Sequence, residues 1–351
     1  MYQEPLIPLS ADDFPGRRRF LKQVVAGAAG AAMFSLAAPL VAEAASLSSQ
    51  ESSMSNLSVS GAAAFPRTSF YTVTADGVDV FYRSAGAPDA PVVLLLHGFP
   101  SSSHMYRELI PRLAGRYRVI APDLPGFGFT KVPAERRYRY SFEALTQTLS
   151  AFVDALGLKR YALYVFDYGA PTGFRLAMAH PERVTAIVTQ NGNAYEEGLG
   201  EAWGPFQRYW REPTQENREA LREALTLETT FWAYTHGLAH PENVAPEAYH
   251  LDAALMARPG NAEIQLDLFL DYAANVKIYP RFQDYFRTAK PPLLAIWGKH
   301  DQLFIPAGAE AFRRDNPNAQ VQLLEASHFA LETHVDEIAA AMDRFLQPLA
   351  K

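Results

Sequence analysis

The sequence predicts an α/β fold: a mostly parallel eight-stranded sheet, helices on both faces, and a helical cap inserted before the last two strands. Three observations carry this. Short apolar runs alternate with helical patterns, runs such as VVLLL (92–96) are apolar without interruption, and the strand signal vanishes between about Ala194 and Thr288. Uninterrupted apolar runs fit strands buried on both faces, as parallel sheets require.

Taken in order, residues 1–44 carry Arg17, Arg18, Arg19, Phe20, Leu21 and Lys22, then an Ala/Gly-rich apolar run and a small-x-small site at Ala42, Glu43 and Ala44. This is the pattern of a twin-arginine (Tat-type) signal peptide cleaved near Ala44, and it predicts a periplasmic or secreted protein. Pro39 and the weak hydrophobicity of Ala and Gly argue against a retained anchor, so no stable membrane insertion is expected after signal removal. Residues 45–65 are Ser-rich with few large apolar side chains and read as a flexible linker.

The core is expected over residues 66–193 and 289–351. FYTV and VDVFYR form a hairpin-like antiparallel pair; VVLLLH, RVIAP, YALYVF and VTAIVTQ follow with helices between them, and LLAIW and VQLLE complete the sheet. The cap, residues 194–288, holds 15 aromatics and three of the four tryptophans in helices and turns. Its flanks, VTAIVTQNGN and KPPLLAIWGKHD, each read as a strand ending in a polar turn, so the chain leaves the sheet, builds the cap and returns. Most of the cap aromatics are expected to pack and a few to line a pocket.

A net charge of −6 without a basic cluster beyond the leader argues against nucleic acid as a partner. The chain has no cysteine, which rules out disulfides, thiolate nucleophiles and Cys-ligated metal centres.

The chemistry gathers at strand ends. In YALYVFDYGAPTGFRLA, Asp167 stands between a buried strand and a helix, where a nucleophile elbow lifts one side chain clear of the sheet. Serine hydrolases have G-x-S-x-G there; this pentad is Val165, Phe166, Asp167, Tyr168, Gly169, so the second small residue is present and the first is replaced by valine. Asp301 follows LLAIW and His328 follows VQLLE, giving the order nucleophile, acid, histidine. Helix capping would also account for Asp301, and His334 is a rival to His328 six residues on. HGFP (97–100) follows VVLLL, and the backbone amides of Phe99 and Tyr168 are expected to form an oxyanion hole.

From about Phe70 to Leu346 the chain resembles the α/β-hydrolase superfamily, and within it the epoxide hydrolase and haloalkane dehalogenase group. The carriers are HGFPSSSHMYRELIPRL, VIAPDLPGFG, FDYGAPTGFRLA, the insertion, WGKHD and SHFALETH. FDYG, TQNGNAYEEGL and HFALETH are similar to a small fungal epoxide hydrolase branch. The resemblance implies an Asp nucleophile at Asp167, a water-activating pair of His328 and Asp301, no cofactor or metal, and cap tyrosines holding an epoxide oxygen.

An aspartate nucleophile makes chemical sense for one class of substrate. Attack on an sp3 carbon alkylates the nucleophile; an alkylated serine is an ether that activated water does not cleave, whereas an alkylated carboxylate is an ester that it does. The expected partners are therefore a small apolar electrophile and water. The leaving group decides between epoxides, haloalkanes and halo-acids. The resembled dehalogenases place Trp after the nucleophile, where Tyr168 stands here, and one branch has Asn where Phe99 stands; fluoroacetate-type enzymes place Arg at the positions of Tyr168 and Pro171. Among candidate donors to an epoxide oxygen, Tyr272 fits the late cap position, 29 residues before Asp301, while the early position is left to Tyr209, beside Phe206, or to Tyr195. Epoxide opening is the leading expectation and haloalkane dehalogenation the alternative. A silent binding protein on the same fold is disfavoured by the complete Asp167, Asp301 and His328 set.

Overall fold

The computed structural model describes residues 66–349. The expected signal peptide and linker, residues 1–65, lie outside them. Eight strands run as β1 Ser69–Ala75, β2 Val78–Ala85, β3 Val92–Leu96, β4 Arg118–Pro122, β5 Tyr161–Phe166, β6 Val184–Gln190, β7 Leu293–Gly298 and β8 Gln320–Leu324. Their spatial order is β1-β2-β4-β3-β5-β6-β7-β8. β2 pairs antiparallel with both β1 and β4, and every later pairing is parallel. Asp76 and Gly77, both at positive φ, form the two-residue turn that closes the β1–β2 hairpin in register Ala75 to Val78.

The described residues hold ten α-helices: α1 Leu109–Leu113, α2 Phe142–Ala155, α3 Gly169–Ala179, α4 Gly204–Arg211, α5 Gln215–Ala220, α6 Leu227–Thr235, α7 Pro246–Met256, α8 Asn261–Ala289, α9 Pro306–Asp315 and α10 Leu331–Leu346. The central strands are apolar on both sides because both sides are covered. Leu94, Leu96, Leu163, Val165 and Ile187 face α2, α3, α8 and α9, while Val93, Leu95, Tyr164, Phe166 and Val188 face α1 and α10. All six residues of β5 and of β7 are buried.

Between β6 and β7 the chain is helical, from α4 to α8 with short 3-10 turns. α8 belongs to two layers. Tyr272 packs against Trp203 and Trp210 of the insertion, whereas Phe282 and Phe286, later on the same helix, pack on Phe174 of α3. A continuous helix carries no mark of where it passes from one layer to the other, which is why a boundary at residue 288 assigns its core-packed half to the cap. Among the described residues no helix is long and apolar enough to cross a membrane.

Candidate active site

Parallel strands end together, so the loops after β3, β5, β6, β7 and β8 meet at one edge of the sheet. Asp167 stands immediately after β5 with φ of 46°. A left-handed conformation costs a non-glycine residue of order 1–3 kcal/mol. Two hydrogen bonds offset it: the amides of Phe99 and Tyr168 both donate to Oδ1 at 2.6 Å, and bonds to a charged acceptor contribute about 1.5–3 kcal/mol each. The neighbouring glycines are steric necessities. A Cβ at Gly98 would stand 2.2 Å from Oδ1 of Asp167, and one at Gly169 would stand 2.1 Å from the Leu96 carbonyl oxygen.

The same logic accounts for Val165, where the elbow pattern departs from G-x-S-x-G. Its side chain is buried and points at Gly173 on α3, where an added Cβ would come within 2.6 Å of Val165 Cγ1. The space that a glycine before the nucleophile would leave is supplied here by a glycine one helical turn beyond Gly169.

His97 fixes the loop that presents the Phe99 amide. Its Nε2 accepts from the Leu124 amide at 2.9 Å, which leaves the proton on Nδ1, 3.1 Å from the Gly98 carbonyl. Burial lowers its pKa, in keeping with a neutral ring.

His328 and Asp301 meet Asp167 from the other side. His328 Nδ1 lies 2.7 Å from Asp301 Oδ2, and Nε2 lies 3.9 Å from Asp167 Oδ2. All three residues are buried. The Leu303 amide holds Asp301 Oδ1 at 2.7 Å, and Asn191 Nδ2 donates to Oδ2 at 2.7 Å. Burial pushes Asp167 up to about 6, against the pull of His328 and the two amides. Burial also works against the His328 imidazolium, but the Asp301 charge and hydrogen bond, aided by Asp167, outweigh it and raise the pKa. His334 sits inside α10 with Nδ1 on the Thr333 hydroxyl.

Asn191 could not be singled out in the sequence. It stands just past β6 at φ 47°, where its Oδ1 accepts from the Gly298 amide at 2.9 Å while its amide group bonds Asp301. Its role depends on a backbone turn that meets a loop more than a hundred residues later. The available signal was that β6 ends in a polar turn with no carboxylate in it.

Aromatic rings wall the site. Tyr168 packs on Phe142 at 4.8 Å and Tyr272 at 5.7 Å, Phe99 on Phe269 at 5.1 Å, and Phe304 lies 5.9 Å from the His328 ring. Tyr272 is fully buried and its hydroxyl lies 3.3 Å from that of Tyr279, seven residues on along the same helix face. Burial first, then Tyr279 and the charge of Asp167, push the Tyr272 phenol upward; burial and Asp167 also push Tyr279 upward. Both phenols therefore stay protonated. The only mark of Tyr279 in the sequence is its helical spacing from Tyr272.

Tyr209 and Tyr195 go elsewhere. On α4 the residues that meet α8 beside the site are Phe206, against Phe269, and Trp210, stacked on Tyr272 at 5.9 Å, although Tyr209 is the more buried. Tyr209 turns aside, and its hydroxyl accepts from Arg218 Nη1 at 3.2 Å within an ion-pair cluster of Arg218, Glu263 and Asp267. Tyr195 is held by two bonds with Asn193 and packs on Phe312, with the Arg314 guanidinium over its ring. Three of the four indole N–H groups are also occupied: Trp203 donates to Leu303, Trp210 to Phe269 and Trp297 to Phe304, all to backbone carbonyls.

A cleft of about 250 Å³ opens at the opposite ends of the strands, lined by Pro91, Val92, Arg160 and Thr185. It holds none of the converging groups. Among the described residues no cluster of three or more His, Asp or Glu is arranged to hold a metal ion.

Known proteins resemble this chain along most of its length. The model of the alpha/beta hydrolase fold matches residues 91–335. An uncharacterized hydrolase of Saccharomyces cerevisiae is 50% identical over 268 residues, covering 75% of this chain and 92% of the yeast protein. Haloalkane dehalogenase 2 of Mycobacterium tuberculosis is 31% identical over 276 residues, covering 73% of this chain and 88% of the relative. A laboratory-evolved variant of potato epoxide hydrolase superposes with a TM-score of 0.64 at 20% identity, covering 80% of this chain and all (100%) of that one. A match over more than half of the sequence joins a sheet that brings acid, histidine and elbow residue to one edge, and the chain belongs to the alpha/beta hydrolase fold family, as a hydrolase related to the haloalkane dehalogenases.

Proposed function

We propose that this hydrolase opens an epoxide to a vicinal diol through a covalent ester on Asp167. Oδ1 is engaged by two amides, which leaves Oδ2 as the attacking oxygen. Oδ2 bonds to an epoxide carbon, the ring C–O bond breaks, and the leaving alkoxide takes a proton from the Tyr272–Tyr279 pair. Water then gives a proton to His328 Nε2 as its oxygen adds to the Asp167 carbonyl carbon, and the tetrahedral oxyanion forms at Oδ1, where the Phe99 and Tyr168 amides already point. Collapse expels the diol oxygen, which takes the histidine proton, and the second proton of the water, left on the regenerated Asp167 carboxyl, returns to the Tyr272–Tyr279 pair. Asp301 orients the ring and balances its charge.

The observation that carries the epoxide reading is the pair of buried hydroxyls, 3.3 Å apart, one of them on Tyr272, whose ring packs on Tyr168 next to Asp167. An opening epoxide needs O–H donors. A departing halide needs N–H donors, and the indole groups of Trp203 and Trp210 are engaged by carbonyls. Haloalkane dehalogenation remains the alternative because a named dehalogenase is 31% identical over most of this chain. The test is intact-mass measurement of His328→Gln after mixing with styrene oxide or with 1-bromobutane. The epoxide is expected to add its mass; addition of the butyl group alone, or of nothing, overturns the reading.

The twin-arginine leader supports export to the periplasm or beyond. Cell fractionation with N-terminal sequencing tests this: a cytoplasmic chain with residues 1–44 retained overturns it.

A further inference from the structure

The helical insertion reaches the back of His328 through a buried polar contact that the reaction above does not use. Asp252 on α7 and Tyr234 on α6 are both buried, and the Tyr234 hydroxyl donates to Asp252 Oδ2 at 2.5 Å. The Tyr234 ring lies flat on Phe329, with centroids 3.7 Å apart and 6° between the planes. Phe329 follows His328 in the chain, its ring is 5.1 Å from the imidazole, and Phe166 packs against both at 4.6 and 5.1 Å. The Ser101 hydroxyl, two residues after Phe99, is a polar neighbour of Tyr234 and Asp252 alike. The bidentate Arg107–Glu332 pair lies alongside, with Glu332 at the start of α10.

Two physical points set this contact apart from ordinary packing. Aromatic pairs prefer offset or edge-on geometry because their quadrupoles repel in a face-to-face sandwich. A flat stack at 3.7 Å therefore needs an outside restraint, and the bond from Tyr234 to Asp252 supplies one. A buried carboxyl is in turn a poor device for stability: desolvation works against it, and Oδ1 of Asp252 has no hydrogen-bond partner among the described residues.

We propose that Asp252 and Tyr234 are a positioning pair: the hydrogen bond holds the Tyr234 ring on Phe329, and Phe329 sets the His328 ring for attack of water on the ester. This rests on the ester mechanism proposed above. The Tyr234 ring rests on Phe329, behind His328, so the pair should act on ester hydrolysis and spare ester formation.

Single-turnover quench-flow with intact-mass detection tests it on the full chain with styrene oxide. Tyr234→Phe keeps the ring and removes the bond; it is expected to form the adduct within about twofold of the wild-type rate and to hydrolyse it roughly tenfold more slowly, the scale of one lost buried hydrogen bond. Asp252→Ala should do the same, and Asp252→Asn, which keeps an acceptor, should restore hydrolysis. Equal loss of both rates, or wild-type hydrolysis in Tyr234→Phe, overturns the inference. His328→Gln separates the two levels: no adduct in that variant overturns the ester mechanism and this inference with it, whereas an adduct there with normal hydrolysis in Tyr234→Phe overturns this inference alone.

Discussion

Nε2 of His328 stands 3.9 Å from Oδ2 of Asp167, too far for a hydrogen bond, while Nδ1 is held 2.7 Å from Asp301. The histidine is thus oriented by the acid and set beside the carboxylate without capping it. In the proposed mechanism this leaves the Oδ2 lone pairs for the electrophile and Nε2, which has no hydrogen-bond partner among the described residues, for the water. Removing the ring should therefore leave the first step and stop the second. In His328→Gln, single-turnover alkylation is expected to persist while steady-state turnover falls roughly a thousandfold or more, within the scale of losing a general base. Asp167→Asn should abolish both, as measured by adduct mass and diol release.

The two titrations predict different acid limbs. Asp167 is raised to about 6, so its nucleophilic carboxylate is lost as pH falls through that value, and the alkylation rate should fall with it. His328 is also raised, and its neutral form is lost as pH falls through its own pKa. Part of that rise comes from the Asp167 charge, which esterification removes. The imidazolium is then less favoured in the alkyl-enzyme than in the free enzyme, so the pH limb of ester hydrolysis should lie below the histidine pKa read by NMR in the unreacted protein. Coincidence of the two would show that Asp167 does not act on His328.

Tyr272 and Tyr279 separate the possible leaving groups. In the proposed epoxide opening each hydroxyl would stabilise developing alkoxide, so Tyr272→Phe and Tyr279→Phe should each slow adduct formation from an epoxide by roughly a hundredfold, the effect of one oxyanion donor. Their 3.3 Å separation means they share a proton-donating unit, and the double variant should lose less than the product of the two single losses. Adduct formation from 1-bromobutane, which builds no alkoxide, should be unchanged in all three. Equal slowing on both substrates would place the phenols in packing instead.

How far the sequence could be read follows from the range of the interactions involved. The central strands were legible because burial on both faces writes an uninterrupted apolar run, and Asp167 and Asp301 each follow such a run; the outer strands β1, β2 and β8, partly exposed, show instead as short stretches in which β-branched and apolar residues mix with polar ones, and His328 follows the last of these. A parallel sheet then brings strand ends together without further information. Helix phase was harder: Phe206, Tyr209 and Trp210 crowd one short helix, and which of them faces Tyr272 is fixed by neighbours from α8 that local spacing does not contain. Asn191 depends on a left-handed turn and a partner loop from another strand, so nothing adjacent to it in sequence marks it. The leader and linker lie outside the described residues.

Asn191 offers a test of how firmly the acid must be held. Asn191→Ala removes one of the two hydrogen-bond partners of Asp301 Oδ2, leaving it to His328 alone, and removes the acceptor of the Gly298 amide, at a cost of roughly 1–3 kcal/mol. It also places alanine where φ is positive. Chemical denaturation should register the lost stability. Because Asp301 orients His328, ester hydrolysis should slow more than ester formation; an equal effect on both would reduce Asn191 to a structural role.

Val165 and Gly173 should behave as one steric unit. Gly173→Ala brings a methyl to within 2.6 Å of Val165 Cγ1 in a buried layer, and overpacking of this kind costs about 1–3 kcal/mol. An alanine in mid-helix would otherwise be stabilising by about 0.5–1 kcal/mol relative to glycine, so the sign of the measured change reports the clash directly. Val165→Ala alone should destabilise by opening a small cavity. The double variant should be more stable than the sum of the two predicts, with a coupling of roughly 1 kcal/mol or more in a denaturation cycle. Additive changes would mean that the elbow tolerates valine for a reason other than the glycine facing it.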